Sequence, residues 1–137
     1  MKRKLSGFLL VAMFVLSFGW NPAWAANWVF LRNSSGADIY LDTASIDDSL
    51  APEMDFTVKY IFQSEQVHEG LQYREQLHYM SINCQTRYAE QLGLSILDGN
   101  GQVARSWHVY DGDQFDPPAY VPPGSYGDQE IAIVCVP

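Results

Sequence analysis

Apolar and polar residues alternate along most of the chain, and this alternation predicts β-strands. The clearest stretch is Met54–Ser64, in which apolar residues occupy every second position and mostly polar residues the positions between. A period of two places the two sets on opposite faces of a sheet, one buried and one wet. A similar stretch runs from Leu71 to about Cys84. Its phase slips near Met80, which predicts a bulge or a change of buried face.

A hairpin is the most specific local prediction. Tyr88–Leu97 and Val103–Tyr110 are strand-like, and Asp98-Gly99-Asn100-Gly101 between them contains two strong turn dipeptides. Glycine and asparagine tolerate the positive φ angles that tight hairpins need. With short apolar segments at Asn27–Leu31 and Asp38–Asp42, the pattern predicts an antiparallel sheet of about six strands.

The C-terminal part of the chain is less regular. Asp111–Gly124 contains four prolines, and because proline has no backbone N–H we expect a surface connection there. The last segment, Ser125–Val136, has two interpretations. Ser125 with Asp128 three residues later fits a helix cap, whereas its isoleucines and valines favour a strand. The residues alone leave this choice open.

The N-terminus has the three parts of a secretory signal peptide, predicted over residues 1–25. Lys2–Lys4 is basic, Gly7–Phe18 is apolar, and Ala23-Trp24-Ala25 places small residues before the cleavage point. A permanent membrane helix is the weaker interpretation because it needs about 20 apolar residues. The working domain is then 26–137. No cysteine lies near the cleavage point, so nothing indicates a lipid anchor, and no membrane span is expected after cleavage.

Cleavage makes the domain strongly acidic. Three of the eight basic residues precede the cleavage point, which leaves five against sixteen acidic residues and a formal charge of −11. Such a surface repels nucleic acid and anionic lipid, and it attracts cationic partners. The alternative is that the acidity serves only to keep an exported protein soluble.

Two cysteines, Cys84 and Cys135, remain in the domain. In an oxidising compartment an even pair most simply forms a disulfide. The bond would close a loop of about 50 residues and contribute roughly 4 kcal/mol in the chain-entropy model. The alternative of a redox-active or metal-binding pair has neither the Cys-x-x-Cys spacing nor accompanying ligands.

The sequence shows no convincing metal or catalytic motif, and we expect no enzyme activity and no cofactor. Asp98–Gly101 and Asp111–Asp116 are rich in oxygen ligands, but neither has the spacing of an EF-hand calcium loop. The three histidines, His68, His78 and His108, show no zinc-ligand spacing. A convergence of His78 or His108 with carboxylates in a closed pocket would be the route to an enzyme.

The proline-rich loop is the predicted contact region. Phe115 and Tyr120 are expected to be exposed there, and an exposed loop aromatic is a plausible binding anchor, with loop packing as the alternative. Asp111, Asp113 and Asp116 supply negative charge beside them. On the neighbouring strand, Arg105 is expected to pair with an acidic residue, stack on Trp107, or extend along the rim of the sheet.

Several short motifs, in a fixed order, resemble the surface-adhesin protein E-like family of Gram-negative bacteria. They are spread over nearly the whole predicted domain. The motifs are Trp28, Tyr40-Leu41-Asp42 with Ser45-Ile46, Ser81-Ile82-Asn83-Cys84 with Arg87, Trp107, Pro123-Gly124-Ser125, and Val134-Cys135. The resemblance implies an α+β fold that is mainly antiparallel sheet, with a C-terminal helix tied down by a Cys84–Cys135 bridge.

The resemblance also implies a non-enzymatic exported protein that adheres to host extracellular-matrix and plasma proteins such as vitronectin, laminin and plasminogen. We therefore predict a protein-binding module in the periplasm or at the cell surface. One alternative is a periplasmic inhibitor of a cationic enzyme such as a lysozyme, which an acidic surface suits electrostatically. The other is a periplasmic carrier of a small ligand. The sequence does not choose between monomer and dimer.

Overall fold

The computed structural model describes residues 25–136. The signal peptide predicted for residues 1–25 therefore lies, apart from Ala25, outside the described residues. The main strands are β1 (Trp28–Ser34), β2 (Ala37–Leu50), β3 (Glu53–His68), β4 (Leu71–Asn83), β5 (Tyr88–Leu97) and β6 (Val103–His108). A two-residue strand β7 (Ala119–Tyr120) and a helix α1 (Tyr126–Val134) follow.

The six main strands lie side by side in chain order, and every neighbouring pair is antiparallel. Strand β7 pairs with the start of β5, next to the place where β6 ends. The α+β class, the six-stranded antiparallel sheet, the C-terminal helix and the disulfide are all confirmed. The helix settles the segment that the residues alone left open. Within residues 25–136, no helix is long and apolar enough to cross a membrane.

Two strand predictions need correction, and one detail is confirmed. Strand β2 does not end at Asp42 but continues to Leu50. Strand β6 ends at His108, because Val109–Asp111 forms a 3-10 turn. The bulge predicted near Met80 is present, since the register between β4 and β5 shifts between Tyr79 and Met80.

The core lies between one face of the sheet and the helix. Because alternate residues of β2, β3 and β4 point to the same side, their apolar residues form a continuous surface there. Helix α1 covers this surface, and the removal of apolar area from water is the main force that holds the two layers together. The buried residues of this core are Ile39, Leu41, Phe56, Val58, Ile82 and Val134.

Three links fix α1 to the sheet. A Cys84–Cys135 disulfide joins the end of β4 to the end of the helix. The Arg32 guanidinium lies 3.3 Å from a Glu130 carboxylate oxygen, and both side chains are less than one-fifth exposed. Burial raises the pKa of Glu130, and the charge of Arg32 opposes that shift. Arg87 pairs with Asp128 in the first turn.

The N-terminus of α1 differs from the predicted cap. Ser125 occupies the N-cap position but makes no side-chain capping hydrogen bond. Its hydroxyl donates instead to the Pro122 carbonyl oxygen at 2.6 Å. Asp128 accepts a hydrogen bond from the Gly124 N–H at 2.9 Å, so the aspartate stabilises the approach to the helix while the serine stabilises the preceding turn.

The β3–β4 hairpin reaches across the sheet to β6. Glu69 at its tip pairs with Arg105, and the rings of His68 and Trp107 meet edge to face with their centroids 5.3 Å apart. Of the three alternatives expected for Arg105, the structure shows the pairing with an acidic residue. Because β3 and β6 are separated by two strands, these contacts require the sheet to curl.

An acidic and aromatic groove beside the predicted contact loop

The five predicted binding residues differ in their exposure and in their contacts. Asp111 is exposed at the end of the 3-10 turn, and Asp116 is exposed in the proline-rich loop. Tyr120 is exposed, as expected, and its ring lies against Tyr88 with centroids 5.8 Å apart. Phe115 is half-buried rather than exposed.

Asp113 has a role within the loop itself. One of its carboxylate oxygens accepts a hydrogen bond from the His108 backbone N–H at 2.8 Å, and the Asp113 N–H donates back to the His108 carbonyl at 3.3 Å. These two bonds close the turn that follows β6. The side chain is half-buried, so its geometry is that of a loop-closing residue.

A groove of roughly 260 Å³ lies next to this loop, on the side of the sheet that α1 does not cover. We call it the acidic–aromatic groove. Its polar residues include two aspartates, a serine and a threonine, and its aromatic residues are two tyrosines, a histidine and a phenylalanine, the last of which belongs to the core. The lining residues are Ser45, Asp47, Asp55, Phe56, Thr57, Tyr79, Met80, Leu92, His108 and Tyr110.

A bulge in β2 brings the two aspartates of the groove together. Asp42 pairs with Thr57 and Asp47 pairs with Asp55, so four residues of β2 lie opposite a single residue of β3. Asp42 accepts from the Ala44 N–H at 3.0 Å, which shapes this bulge from one side. Ser45 shapes it from the other, because its hydroxyl donates to the Asp42 carbonyl and accepts from the Thr57 N–H.

Asp47 and Asp55 are consequently direct cross-strand partners. Like charges at such positions repel each other. The pKa of Asp47 is lowered, chiefly by the Ser49 backbone N–H, which donates to its carboxylate at 2.9 Å. Asp47 is therefore ionised at neutral pH. Within residues 25–136 no basic side chain pairs with either aspartate.

The aromatic side of the groove depends on Gly93. A Cβ atom at this position would lie 2.7 Å from the His108 ring and 2.9 Å from the Tyr79 ring. Only glycine allows both rings to flank the strand so closely. The ring of Tyr110 stacks on the His108 ring at a centroid distance of 4.7 Å. The backbone N–H of Tyr110 donates a hydrogen bond to His108 Nδ1 at 3.2 Å.

Two other exposed grooves have different linings. One of roughly 370 Å³ contains Glu65, Glu75 and Asp98, but it also contains Arg74. Another, of roughly 240 Å³, lies over the disulfide between Pro52, Met54 and Val136. The acidic–aromatic groove thus combines opposed carboxylates with aromatic rings and has no lysine or arginine in its lining.

Within residues 25–136, neither of the two imidazole rings considered for catalysis, those of His78 and His108, hydrogen-bonds to a carboxylate. His78 lies between two glutamines: its Nε2 contacts Gln76 Oε1 at 3.1 Å, and its Nδ1 contacts Gln91 Nε2 at 3.2 Å. Burial lowers the pKa of His78 to about 4. His108 shares the open groove with Asp47 and Asp55, which is not the closed pocket that an enzyme interpretation requires.

The described residues contain no group of three or more His, Cys, Asp or Glu side chains placed to hold a metal ion. The Asp98-Gly99-Asn100-Gly101 segment is a turn: Asp98 Oδ1 accepts from the backbone N–H groups of Asn100 and Gln102 at 2.8 and 3.0 Å. Turn chemistry therefore accounts for its oxygen-rich composition.

Most basic residues of 25–136 are engaged inside the molecule. Arg32, Arg87 and Arg105 form ion pairs, and the Lys59 ammonium lies 4.2 Å from the centre of the Trp28 ring. Only three of the sixteen carboxylates in this part of the chain belong to those ion pairs. The negative charge of the surface is thus largely uncompensated.

Sequence reasoning missed the groove. Asp55 was visible as a polar position in an alternating strand, and His108 and Tyr110 as the end of the predicted hairpin. Asp47 fell beyond Asp42, the last residue of the predicted second strand segment. The length of the bulge decides which residue faces Asp55, and no local motif encodes that length. Gly93, placed between strand residues, was the one local sign of a close approach.

The fold defines a class: a small antiparallel sheet with a helix and a disulfide-tied C-terminal segment on one face. The chain belongs to the surface-adhesin protein E family, whose model matches residues 28–136. Haemophilus influenzae protein E has a similar structure, with a TM-score of 0.57 and 18% identity over 77% of this chain and 87% of that one. A search of curated proteins finds no match.

Two further structures show the same fold. A second crystal form of Haemophilus influenzae protein E gives a TM-score of 0.56 and 16% identity, covering 81% of this chain and 95% of that one. Protein E from non-typeable Haemophilus influenzae gives 0.53 and 19%, with coverage of 80% and 85%. At these identities the likeness establishes the fold.

The motifs that carry the family resemblance mostly serve the fold. Cys84 and Cys135 are bonded. Arg87 pairs with Asp128 and donates through Nε to the Val121 carbonyl at 3.0 Å. Leu41 is fully buried. Asp42 and Ser45 are different, because they also build the bulge that shapes the groove.

Proposed function

We propose that this protein is an exported, non-enzymatic adhesin that binds host extracellular proteins through cationic surfaces of its partners. The observation that carries the proposal is the uncompensated negative charge of the described domain. Five basic residues face sixteen acidic ones, and four of the five already contact groups within the molecule. Such a surface raises the rate at which positively charged partners associate.

The contact region comprises the acidic–aromatic groove and the adjoining loop. Tyr110 is 83% exposed at the border between them, and Tyr120 is 49% exposed further along the loop. Exposed tyrosines are frequent anchors of protein interfaces because the ring buries a large area and the hydroxyl keeps a hydrogen bond. Asp111 and Asp116 add exposed charge beside them.

Cell-surface location is the first requirement of the proposal. Intact cells are treated with protease, and the domain is detected with antibody beside a periplasmic control protein. We expect the domain to be lost while the control survives. If both survive in intact cells and the domain is digested after permeabilisation, the adhesin proposal is wrong, and the periplasmic inhibitor of a cationic enzyme becomes the better account of the acidic surface.

Binding itself is measured with the purified domain over immobilised vitronectin, laminin and plasminogen, the partners that the family resemblance implies. We expect association rates to fall steeply as NaCl is raised from low to physiological concentration. At physiological ionic strength, salt screens the interaction between exposed charges that are more than about 8 Å apart. Binding that does not change with salt would contradict a charge-driven interface.

A further inference from the structure

We infer that the acidic–aromatic groove is a receptor for a single arginine side chain of the protein partner. This inference rests on the proposed function, and it assigns one local site within the broader acidic surface. Its basis is the combination of a cavity, an opposed pair of carboxylates and a set of aromatic rings in one place.

The carboxylate pair provides the first part of the argument. Asp47 and Asp55 face each other across β2 and β3, an arrangement that is unfavourable when nothing lies between them. A cation bound between the two carboxylates would be attracted by both of them, and its charge would offset their mutual repulsion. Within residues 25–136 neither aspartate forms an ion pair, so both remain available to an external cation.

The bulge shows how the fold keeps the pair in place. The Asp42 and Ser45 side chains hold it through hydrogen bonds to backbone groups of both strands. Asp47 is further oriented by the Ser49 N–H. A ligand therefore meets one carboxylate, that of Asp47, whose position is already restricted, which lowers the entropic cost of binding.

The rings determine which cation fits best. Tyr79, His108 and Tyr110 line the groove, and the last two are stacked at an interplanar angle of 22°. A guanidinium group is planar, stacks on aromatic faces and donates two parallel hydrogen bonds to carboxylates, whereas an ammonium group is a compact and strongly hydrated point charge. Arginine is therefore expected to bind more tightly than lysine.

The volume is consistent with one side chain. Roughly 260 Å³ accommodates the guanidinium and its alkyl stem but not an extended peptide. Ser45 and Thr57 are additional polar residues of the lining. Leu92 and the two tyrosine rings of the lining supply apolar surface for the stem, since long cationic side chains bury their methylene groups against such surface.

The test is an NMR titration of the folded domain with three short peptides, Ac-Gly-Arg-Gly-NH₂, Ac-Gly-Lys-Gly-NH₂ and Ac-Gly-Gln-Gly-NH₂. We expect the arginine peptide to shift the backbone amide signals of Asp47, Asp55 and Tyr110. The lysine peptide should shift the same signals with weaker affinity, and the glutamine peptide should shift none. Equal shifts over the whole acidic surface would overturn the inference.

Two double variants separate a local site from the general charge. D47N/D55N removes both groove carboxylates, and we expect it to weaken arginine-peptide binding by about ten-fold or more. E65Q/E75Q removes the same amount of charge from the groove that contains Arg74 and should leave binding within about two-fold. Equal weakening by both variants would contradict a specific site.

The same variants distinguish this inference from the proposed function. If D47N/D55N abolishes peptide binding while binding to every host protein stays unchanged, the groove is not the partner site, although the adhesin proposal stands. If the wild-type domain binds the arginine peptide in the groove but no host protein, the site is real and the adhesin proposal is wrong.

Discussion

Gly93 lies in β5 where the rings of Tyr79 and His108 come together, and it has no room for a methyl group. We expect Gly93→Ala to push the rings apart or bend the strand. Overpacking of this kind typically costs about 1–3 kcal/mol of unfolding free energy. Chemical denaturation would measure that loss, and the NMR signals of the His108 and Tyr79 rings would shift.

Gly99 provides the matched control for this prediction. It lies in the β5–β6 turn, and a Cβ atom there meets no other group within 4 Å. Gly99→Ala should therefore leave the unfolding free energy almost unchanged. Equal effects of the two substitutions would show that the close approach at Gly93 has no energetic consequence.

His78 makes the stability of the domain depend on pH. Its folded-state pKa of about 4 lies below the unfolded value of about 6.5. Between these values the unfolded chain binds a proton that the folded protein excludes. The contribution of His78 to the free energy of unfolding is therefore fully present above pH 6.5. It is lost as the pH falls toward 4, by up to about 3 kcal/mol in total.

Denaturation curves recorded from pH 7 to pH 4 would test this prediction. Other groups titrate in the same range, so the quantity to compare is the difference in slope between the wild type and His78→Gln. The variant should be less stable at pH 7 but should lose less stability on acidification. His68→Gln, at an exposed position, should keep the wild-type slope. A wild-type slope in His78→Gln would contradict the assignment.

At the scale of elements, α1 depends on its links to the sheet more than on its own sequence. It has only nine residues, and isolated helices shorter than about 12–15 residues are marginal in water. We expect replacement of both cysteines by serine to cost about 2–4 kcal/mol. Hydrogen exchange should then speed up in α1 before it does in β2–β4. Uniform acceleration would show that the helix and sheet open together.

The ion pairs should differ in their effect on stability according to burial. Arg32 is 13% exposed, and it donates to Gln129 and the Tyr126 carbonyl as well as to Glu130. Its replacement by alanine is expected to cost about 2–3 kcal/mol. Arg105 and Glu69 are 40% and 70% exposed, so Arg105→Ala should cost less than about 1 kcal/mol. Thermal denaturation of the two variants would show the order.

Much of the sheet was predictable because its strands are locally encoded. The alternation in Met54–Ser64 correctly predicted strand β3, and the turn residues Asp98–Gly101 correctly predicted the β5–β6 hairpin. The phase slip near Met80 correctly located the bulge between β4 and β5. The final helix was not predictable from its own residues. Ile131 and Ile133 prefer strands, but packing on the core and the bond at Cys135 override that preference.

The candidate site was much harder to predict than the sheet. The five loop residues chosen from the sequence were selected by exposure and charge, yet Asp113 closes a turn and Phe115 is half-buried. The groove depends on which residues of distant strands become neighbours. That pairing follows from the register on either side of the β2 bulge, which is a property of the folded sheet.

At the scale of the whole molecule, self-repulsion should limit stability. A formal charge of −11 on the predicted mature domain favours any more expanded state. We therefore expect the midpoint of thermal unfolding to rise as NaCl is increased from about 10 to 150 mM, because added salt screens this repulsion. KCl should act equally. A falling midpoint would mean that screening of the internal ion pairs dominates.

The bulge between Asp42 and Asp47 also affects how the groove can change during evolution. A strand turns to its opposite face with every residue added or removed. The loss of one residue from positions 43–46 would therefore keep both aspartates in the sequence while pointing one of them away from the other. Relatives that retain Asp47 and Asp55 in an alignment share this groove only if they also retain the length of the insertion between the paired segments. A single deletion there can remove the proposed arginine site while both of its aspartates stay in the sequence.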